Sequence, residues 1–161
     1  MRPGGRDLGP GAASRRTGFV LLFGQAVAGV VVGVVWWLLT RRSAALLVGE
    51  PVVTSASVYP MARDGVFSVL TGLVGLVAAV VVLRRGRQAP VTVLVAALAG
   101  ALASSLLAAG TGSALPPTGV ADAAHVTLTA WIVVLVQPFV VAAAVALVTL
   151  GDVLVRWTRT P

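Results

Sequence analysis

The sequence predicts an all-α, polytopic membrane protein: a bundle of four transmembrane helices with both termini in the cytoplasm. Three observations support this prediction. The 161-residue chain is 58% hydrophobic and only 11% charged, whereas a typical soluble domain is about 45–50% apolar and about 25% charged. Its mean hydropathy is +0.99. A helix needs roughly 20 residues to cross about 30 Å of hydrocarbon, and four apolar runs reach this length.

The predicted spans are residues 18–40, 65–83, 91–110 and 127–150, within a single membrane domain of residues 17–157. None of the spans contains Asp, Glu, Lys, Arg or His. They are rich in valine, but buried strands run for only about 4–8 residues. A lone strand in lipid would also leave its backbone groups unpaired. The apolar runs are therefore predicted to be helices.

The segments outside the spans are polar or rich in Gly and Pro. Residues 1–16 are predicted to be a disordered basic tail, and residues 158–161 form a C-terminal tail. The long connection 41–64 contains a β-prone stretch, 52–59, which fits a short hairpin or a segment lying on the membrane surface. The connection at 84–90 is a tight basic turn, and Pro90 suits the first position of the third helix. Residues 111–125 form a Gly/Pro-rich loop.

The arginines predict the orientation of the chain. All twelve basic residues are arginine, and nine lie in the N-terminal tail, in the second connection and after the fourth span: Arg2, Arg6, Arg15, Arg16, Arg84, Arg85, Arg87, Arg156 and Arg159. The other three lie in the first connection. Since cytoplasmic loops carry the excess of basic residues, both termini are placed in the cytoplasm. Trp36, Trp37 and Trp131 are expected at the outer interface.

The positive charge has a further use at the membrane surface. Arg15, Arg16, Arg84, Arg85 and Arg87 are expected to contact anionic lipid headgroups. The chain has no basic stripe with interleaved aromatic residues outside the membrane flanks, so nucleic acid is not an expected partner. The motif SRRTGFV resembles a twin-arginine export signal. The apolar run behind it is longer than the core of a signal peptide, about 7–15 residues, so it is interpreted as an uncleaved first span.

Small residues recur at helical spacing within the spans and predict close helix packing, because lipid supplies no hydrophobic force between helices. The expected packing positions are Gly29, Gly33, Ser68, Gly72, Gly75, Ala96, Gly100 and Ser104. Ala142 and Ala146 form a similar repeat in the fourth span. The third span carries two neighbouring stripes of small residues. It is expected at the centre of the bundle or on a face that meets another protein.

Two glutamines lie deep in the predicted spans. At 1.5 Å per residue, Gln25 lies about 10 Å from the cytoplasmic start of the first helix and Gln137 about 15 Å from the outer start of the fourth. Across about 30 Å of hydrocarbon their depths differ by only about 5 Å. We expect a hydrogen bond between them, with a polar lining for a substrate path as the alternative. Pro138 removes a backbone donor and predicts a kink in the fourth helix.

The inventory of reactive side chains is short. The chain has no cysteine, one histidine (His125) and five acids: Asp7, Glu50, Asp64, Asp122 and Asp152. No catalytic, cofactor-binding or metal-ligating constellation is recognised, so no enzymatic activity and no cofactor are expected. Asp64 is expected to cap the N-terminus of the second helix, where the dipole favours an anion. The lack of ionisable groups within the spans argues against a proton-coupled pump.

Three segments of the chain resemble a known group of sequences: ARDGVFSVLTGLVG (62–75), LRRGR (83–87) and VAALAGALASSL (95–106). They are similar to a family of small four-span actinobacterial membrane proteins that has no assigned function. In that family an acidic and aromatic start of the second span, and a basic turn before a Gly/Ala-rich third span, recur. The resemblance implies the four-helix topology and no activity.

Together these features predict a non-enzymatic accessory or scaffold component of a larger assembly in the bacterial plasma membrane. Its expected partners are membrane lipids and either another membrane protein or further copies of itself. The alternative is a small transporter or channel subunit with a polar path near Gln25 and Gln137.

Overall fold

The computed structural model describes residues 10–41, 58–85, 90–116 and 128–159. Within these ranges the chain forms four long helices and no strand: α1 (Pro10–Arg41), α2 (Val58–Arg85), α3 (Pro90–Ala114) and α4 (Val136–Arg159). A 3-10 helix, Trp131–Leu135, leads directly into α4. Each helical segment is long and apolar enough to cross a membrane. The predicted all-α four-helix bundle is confirmed.

The helix ends differ from the predicted spans. α1 begins at Pro10, so residues 10–16 are helical and not part of a disordered tail. Proline is well tolerated in the first turn of a helix, and the alanines that follow are strong helix formers. α2 begins at Val58, which makes the last two residues of the β-prone stretch helical; residues 52–57 lie outside the described ranges. α3 begins at Pro90 as predicted, and α4 continues past residue 150 to Arg159.

The bundle consists of two pairs of parallel helices, each pair joined by glycine contacts. In the first pair, Gly29 and Gly33 of α1 face Ser104 and Ala108 of α3. In the second pair, Gly72 and Gly75 of α2 face Val136 and Gln137, at the start of α4. Because the facing residues rise together along both chains, the members of each pair run in the same direction. α1 and α4 are the two helices with the least backbone contact, so they lie on opposite corners.

The core is divided into two apolar clusters with polar side chains between them. One cluster surrounds Trp36 and Phe67, and the other surrounds Ala97 and Val141. The buried polar residues Gln25, Thr71, Ser104, Ser105 and Gln137 fall between the two clusters along their helices. We call Gln25, Ser105 and Gln137 the polar layer.

α3 contributes mostly small side chains to the core. Both of its stripes turn inward: Gly100, Ser104 and Ala108 on one, and Ala97, Ala101, Ser105 and Ala109 on the other are buried, while Ala96 is half-buried. Small side chains let α1 approach the α3 backbone closely. These stripes are therefore filled by helices of the same chain.

α4 leaves the bundle over its second half. Every residue from 146 to 159 is exposed. Only 17% of the most apolar window of the last span is buried, compared with 33–39% in the other three. Ala142 and Ala146 are exposed, so among the described residues the small-residue repeat predicted there is not buried against another helix.

Candidate functional site

The polar layer joins three helices by hydrogen bonds. The side-chain amide of Gln137 in α4 donates a 3.1 Å hydrogen bond to Oε1 of Gln25 in α1. Nε2 of Gln25 donates to the carbonyl of Ala97 in α3 at 3.0 Å. The hydroxyl of Ser105 lies 3.1 Å from Oε1 of Gln137 and 3.0 Å from the carbonyl of Ala101, so its proton is shared between two acceptors. Gln25 is 5% exposed and Gln137 is 1% exposed.

Two glycines make room for this layer. A Cβ atom on Gly100 would lie 3.2 Å from Nε2 of Gln25, and one on Gly75 would lie 2.8 Å from the backbone carbonyl of Gln137. The bare surface of α3 at Gly100 thus lets the long side chain of Gln25 pass over it. This explains how the two glutamines meet although α1 and α4 occupy opposite corners.

The hydrogen bond predicted between the two glutamines is present. Sequence reasoning placed Ser105 on a small-residue stripe but did not assign it to Gln137, and it did not identify the carbonyl of Ala97 as an acceptor. The small-residue stripe could have indicated the contact between Ser105 and Gln137, because it brings Ser105 to the same face as Ala101 and near the depth of Gln137.

Asp64, near the start of α2, forms a second polar site. Its Oδ2 accepts a 2.8 Å hydrogen bond from the backbone N–H of Ala130, and its Oδ1 accepts one of 3.2 Å from Thr129. These N–H groups stand at the start of the helix that begins at Trp131. Helix starts leave such donors unpaired and favour an anion. Asp64 is only 7% exposed.

The prediction that Asp64 caps its own helix is therefore wrong. α2 begins at Val58, so Asp64 lies within the helix and not at its end. The carboxylate instead caps the start of the last span. The sequence correctly indicated that this acid bonds to the start of a helix, but it did not indicate which helix.

Trp36 ties α1 to the same region. Its indole N–H donates a 3.0 Å hydrogen bond to the carbonyl of Arg63, and its ring meets Phe67 edge to face with centroids 5.1 Å apart. The indole lies over Gly112, where a Cβ atom would overlap it. Trp36 is fully buried, so its ring packs among the helices of the bundle and does not face outward. Trp131 is 67% exposed.

Pro138 lies in the first turn of α4, just after the 3-10 helix. Proline is tolerated there because the N–H groups of a first turn have no partner within the α-helix. The change from 3-10 to α-helical winding falls at Val136, two residues before Pro138, and the kink expected in the fourth helix stays a prediction.

The other predicted positions are packing glycines, Ser68, the flanking arginines and residues outside the described ranges. Cβ atoms on Gly29 and Gly33 would overlap the backbone of α3, whereas one on Gly72 would stand 3.9 Å from its nearest neighbour. Ser68 donates to the carbonyl of Asp64 in its own helix. Arg84 and Arg85 are exposed in the last turn of α2. The part of the chain that the structure describes does not include the side chains of Arg15 and Arg16 or the residues Arg87, Glu50, Asp122 and His125.

The chemistry of the two sites is that of amides, hydroxyls and one carboxylate. Among the described residues no group of three His, Cys, Asp or Glu side chains is arranged to hold a metal ion. Comparison with protein-family models, with curated proteins and with solved structures gives no match for this chain. The fold alone indicates the class of the protein: it is a bundle of four helices, each long and apolar enough to cross a membrane.

Proposed function

We propose that this protein is a non-enzymatic accessory or scaffold component of a larger assembly in the bacterial plasma membrane. The observation that supports this role is the exposure of the last span. α1, α2 and α3 bury about a third or more of their apolar windows, whereas the last span buries 17%. A helix held at the edge of a bundle by its first half presents its second half to other membrane components.

The interior supports the same role. Gln25 and Gln137 bond to each other and to α3, so their amides hold the helices together. Interhelical hydrogen bonds of this kind are a common means of helix association in lipid.

The assembly role is tested by purifying the full chain in mild detergent and identifying proteins that elute with it in fixed stoichiometry. Leu147→Trp alters an exposed position of α4, and Val31→Trp is its control on the exposed face of α1. We expect one other protein to elute together with the wild type and with Val31→Trp, and the same protein to be absent from the Leu147→Trp preparation. Elution of the wild type without a stoichiometric partner overturns the proposal.

The proposal places both termini in the cytoplasm. Because α2 and α4 are parallel, Arg84, Arg85, Arg156 and Arg159 lie at the same end of the bundle, as the excess of basic residues on the cytoplasmic side requires. The chain has no cysteine of its own. Ala114→Cys and Thr158→Cys therefore provide single labels at opposite ends of the bundle.

Labelling of intact cells with a membrane-impermeant maleimide tests this orientation. We expect Ala114→Cys to react in intact cells and Thr158→Cys to react only after permeabilisation. The reverse pattern contradicts the orientation.

The second candidate function is a small transporter or channel subunit. The observation that favours it is the position of the polar layer, midway between two apolar clusters. A path through the layer requires water at Ser105. Reaction of Ser105→Cys with a small water-soluble thiol reagent in lipid vesicles supports this alternative, whereas protection of the thiol supports the scaffold role.

A further inference from the structure

We propose that the groove between the ends of α2 and α4 binds an anionic phospholipid. The groove has a volume of about 690 Å³. It is lined by Leu83 from α2 and by Val148, Thr149, Asp152 and Arg156 from α4. This site rests on the embedding of the helices in a membrane, but it does not depend on the scaffold role.

The groove exists because the two helices end at different heights. α2 ends at Arg85, beside the middle of α4, and α4 continues alone to Arg159. The flank of α4 beyond that level has no neighbouring helix among the described residues, and every residue from 146 to 159 is exposed. The groove is therefore open sideways, where lipid lies.

The lining changes from apolar to polar along the groove, which matches the acyl chains and headgroup of a phospholipid. Leu83 and Val148 supply apolar walls at the end nearer the bundle. One to two turns further along α4, Asp152 and Arg156 supply the polar end. An acyl chain lies against the first part when the headgroup phosphate is at the second.

Arginines outnumber carboxylates around the polar end of the groove. Nη2 of Arg156 stands 3.4 Å from Oδ2 of Asp152, and both side chains are largely exposed. Such exposed pairs are weak. A guanidinium has five donors in a planar fork and binds phosphate through two of them, so Asp152 can orient Arg156 while Arg156 binds a phosphate. Arg84 and Arg85 add positive charge at the last turn of α2.

Native mass spectrometry of the full chain in detergent tests the site. The protein is titrated with phosphatidylglycerol or with phosphatidylcholine. The variant is Arg156→Gln, and Arg159→Gln is the matched control, because it removes the same charge from the same helix end at a residue outside the groove lining.

We expect the wild type to retain phosphatidylglycerol in preference to phosphatidylcholine. Arg156→Gln should weaken phosphatidylglycerol binding about fivefold, the factor typical of one arginine near an anionic surface. Arg159→Gln should change it by less than about twofold, because general surface attraction has no fixed contact to lose. Equal losses in the two variants, or no preference between the lipids, overturns the proposal.

Competition with water-soluble glycerol phosphate tests whether the site binds the headgroup alone or the whole phospholipid. We expect it not to displace bound phosphatidylglycerol at equal concentration, because it lacks the chains that lie against Leu83 and Val148. Displacement shows that the apolar walls play no part and contradicts the phospholipid assignment. Because these measurements use the purified chain, they give the same answer whether or not a protein partner exists.

Discussion

The amide of Gln137 donates a hydrogen bond to Gln25 across the long diagonal of the bundle, between the two helices whose backbones touch least. The bond bridges the two parallel helix pairs, α1 with α3 and α2 with α4. Within each pair, glycines hold the backbones close. Between the pairs, polar side chains such as Gln25 and Trp36 reach across.

Replacing Gln25 by Leu should lower the free energy of unfolding by about 1–2 kcal/mol. The substitution removes the bonds to Gln137 and to the carbonyl of Ala97, which average about 0.6 kcal/mol each in membrane proteins, and leaves the buried Gln137 amide without that acceptor. Unfolding in mixed detergent micelles measures the change. Thr149→Val is the control, because the Thr149 hydroxyl is exposed and bonds only within α4 among the described residues.

The double variant Gln25→Leu, Gln137→Leu should lose less stability than the sum of the two single variants, because neither amide is then left unpaired. Additive losses, or an unchanged Gln25→Leu variant, contradict the coupling.

Replacing Gly29 by Ala should destabilise the bundle by about 1–3 kcal/mol, the usual range for overpacking. The new methyl group overlaps the backbone of Ser104, which cannot turn aside as a side chain can. Gly24→Ala is the matched control in the same helix, because nothing lies within 4 Å of a Cβ atom there. Gly24→Ala should be neutral or stabilising, since alanine is the better helix former.

The same unfolding assay compares the two variants. If Gly29→Ala is as stable as Gly24→Ala, the close approach of α1 to α3 is not what holds this pair.

Replacing Asp64 by Ala should cost about 1–3 kcal/mol, as expected when charged hydrogen bonds to a helix start are lost. Asp64→Asn should lose less, because its remaining carbonyl oxygen still accepts one bond. Hydrogen exchange supplies the specific measurement: the amides of Thr129 and Ala130 should exchange faster in Asp64→Ala. Asp152→Asn is the control, since that carboxylate is exposed in a weak pair.

Unchanged protection of Thr129 and Ala130 in Asp64→Ala, with the bundle still folded, contradicts the capping role of Asp64.

Replacing Trp36 by Phe should cost about 1–3 kcal/mol. The substitution removes the hydrogen bond to the carbonyl of Arg63, worth about 1 kcal/mol, and leaves a space in a fully buried position. Trp131→Phe is the matched control, because Trp131 is exposed and its loss should change stability by less than about 0.5 kcal/mol. Equal thermal stability of the two variants contradicts the role of Trp36.

The helices follow from the sequence because length and apolarity alone determine them in lipid. The contact between Gln25 and Gln137 also follows, since two isolated amides at similar depth have few other partners in an apolar bundle. Both predictions use properties of single spans, namely composition and position along the helix axis.

The pairing of helices does not follow from the sequence. Small residues recur in every span, so GVVVG in α1 fits several surfaces. Only the structure shows that Gly29 and Gly33 meet α3, while Ala142 and Ala146 are exposed within the described part of the chain. Asp64 illustrates the same limit. Its position identifies a cap, but the N–H groups that it accepts from, those of Thr129 and Ala130, lie 65 and 66 residues further along the chain.

The pairing of α1 with α3 has a consequence for the order of membrane insertion. The ribosome delivers α1 first, but the hydrogen bonds of Gln25 go to α3 and α4, and Gly29 faces α3. The first two helices therefore enter the bilayer with a glutamine and an aspartate whose partners have not yet been synthesised. The nascent chain completes its polar contacts only when the last helix arrives. A product truncated before residue 128 therefore lacks the donors that bond to Oε1 of Gln25 and to the carboxylate of Asp64.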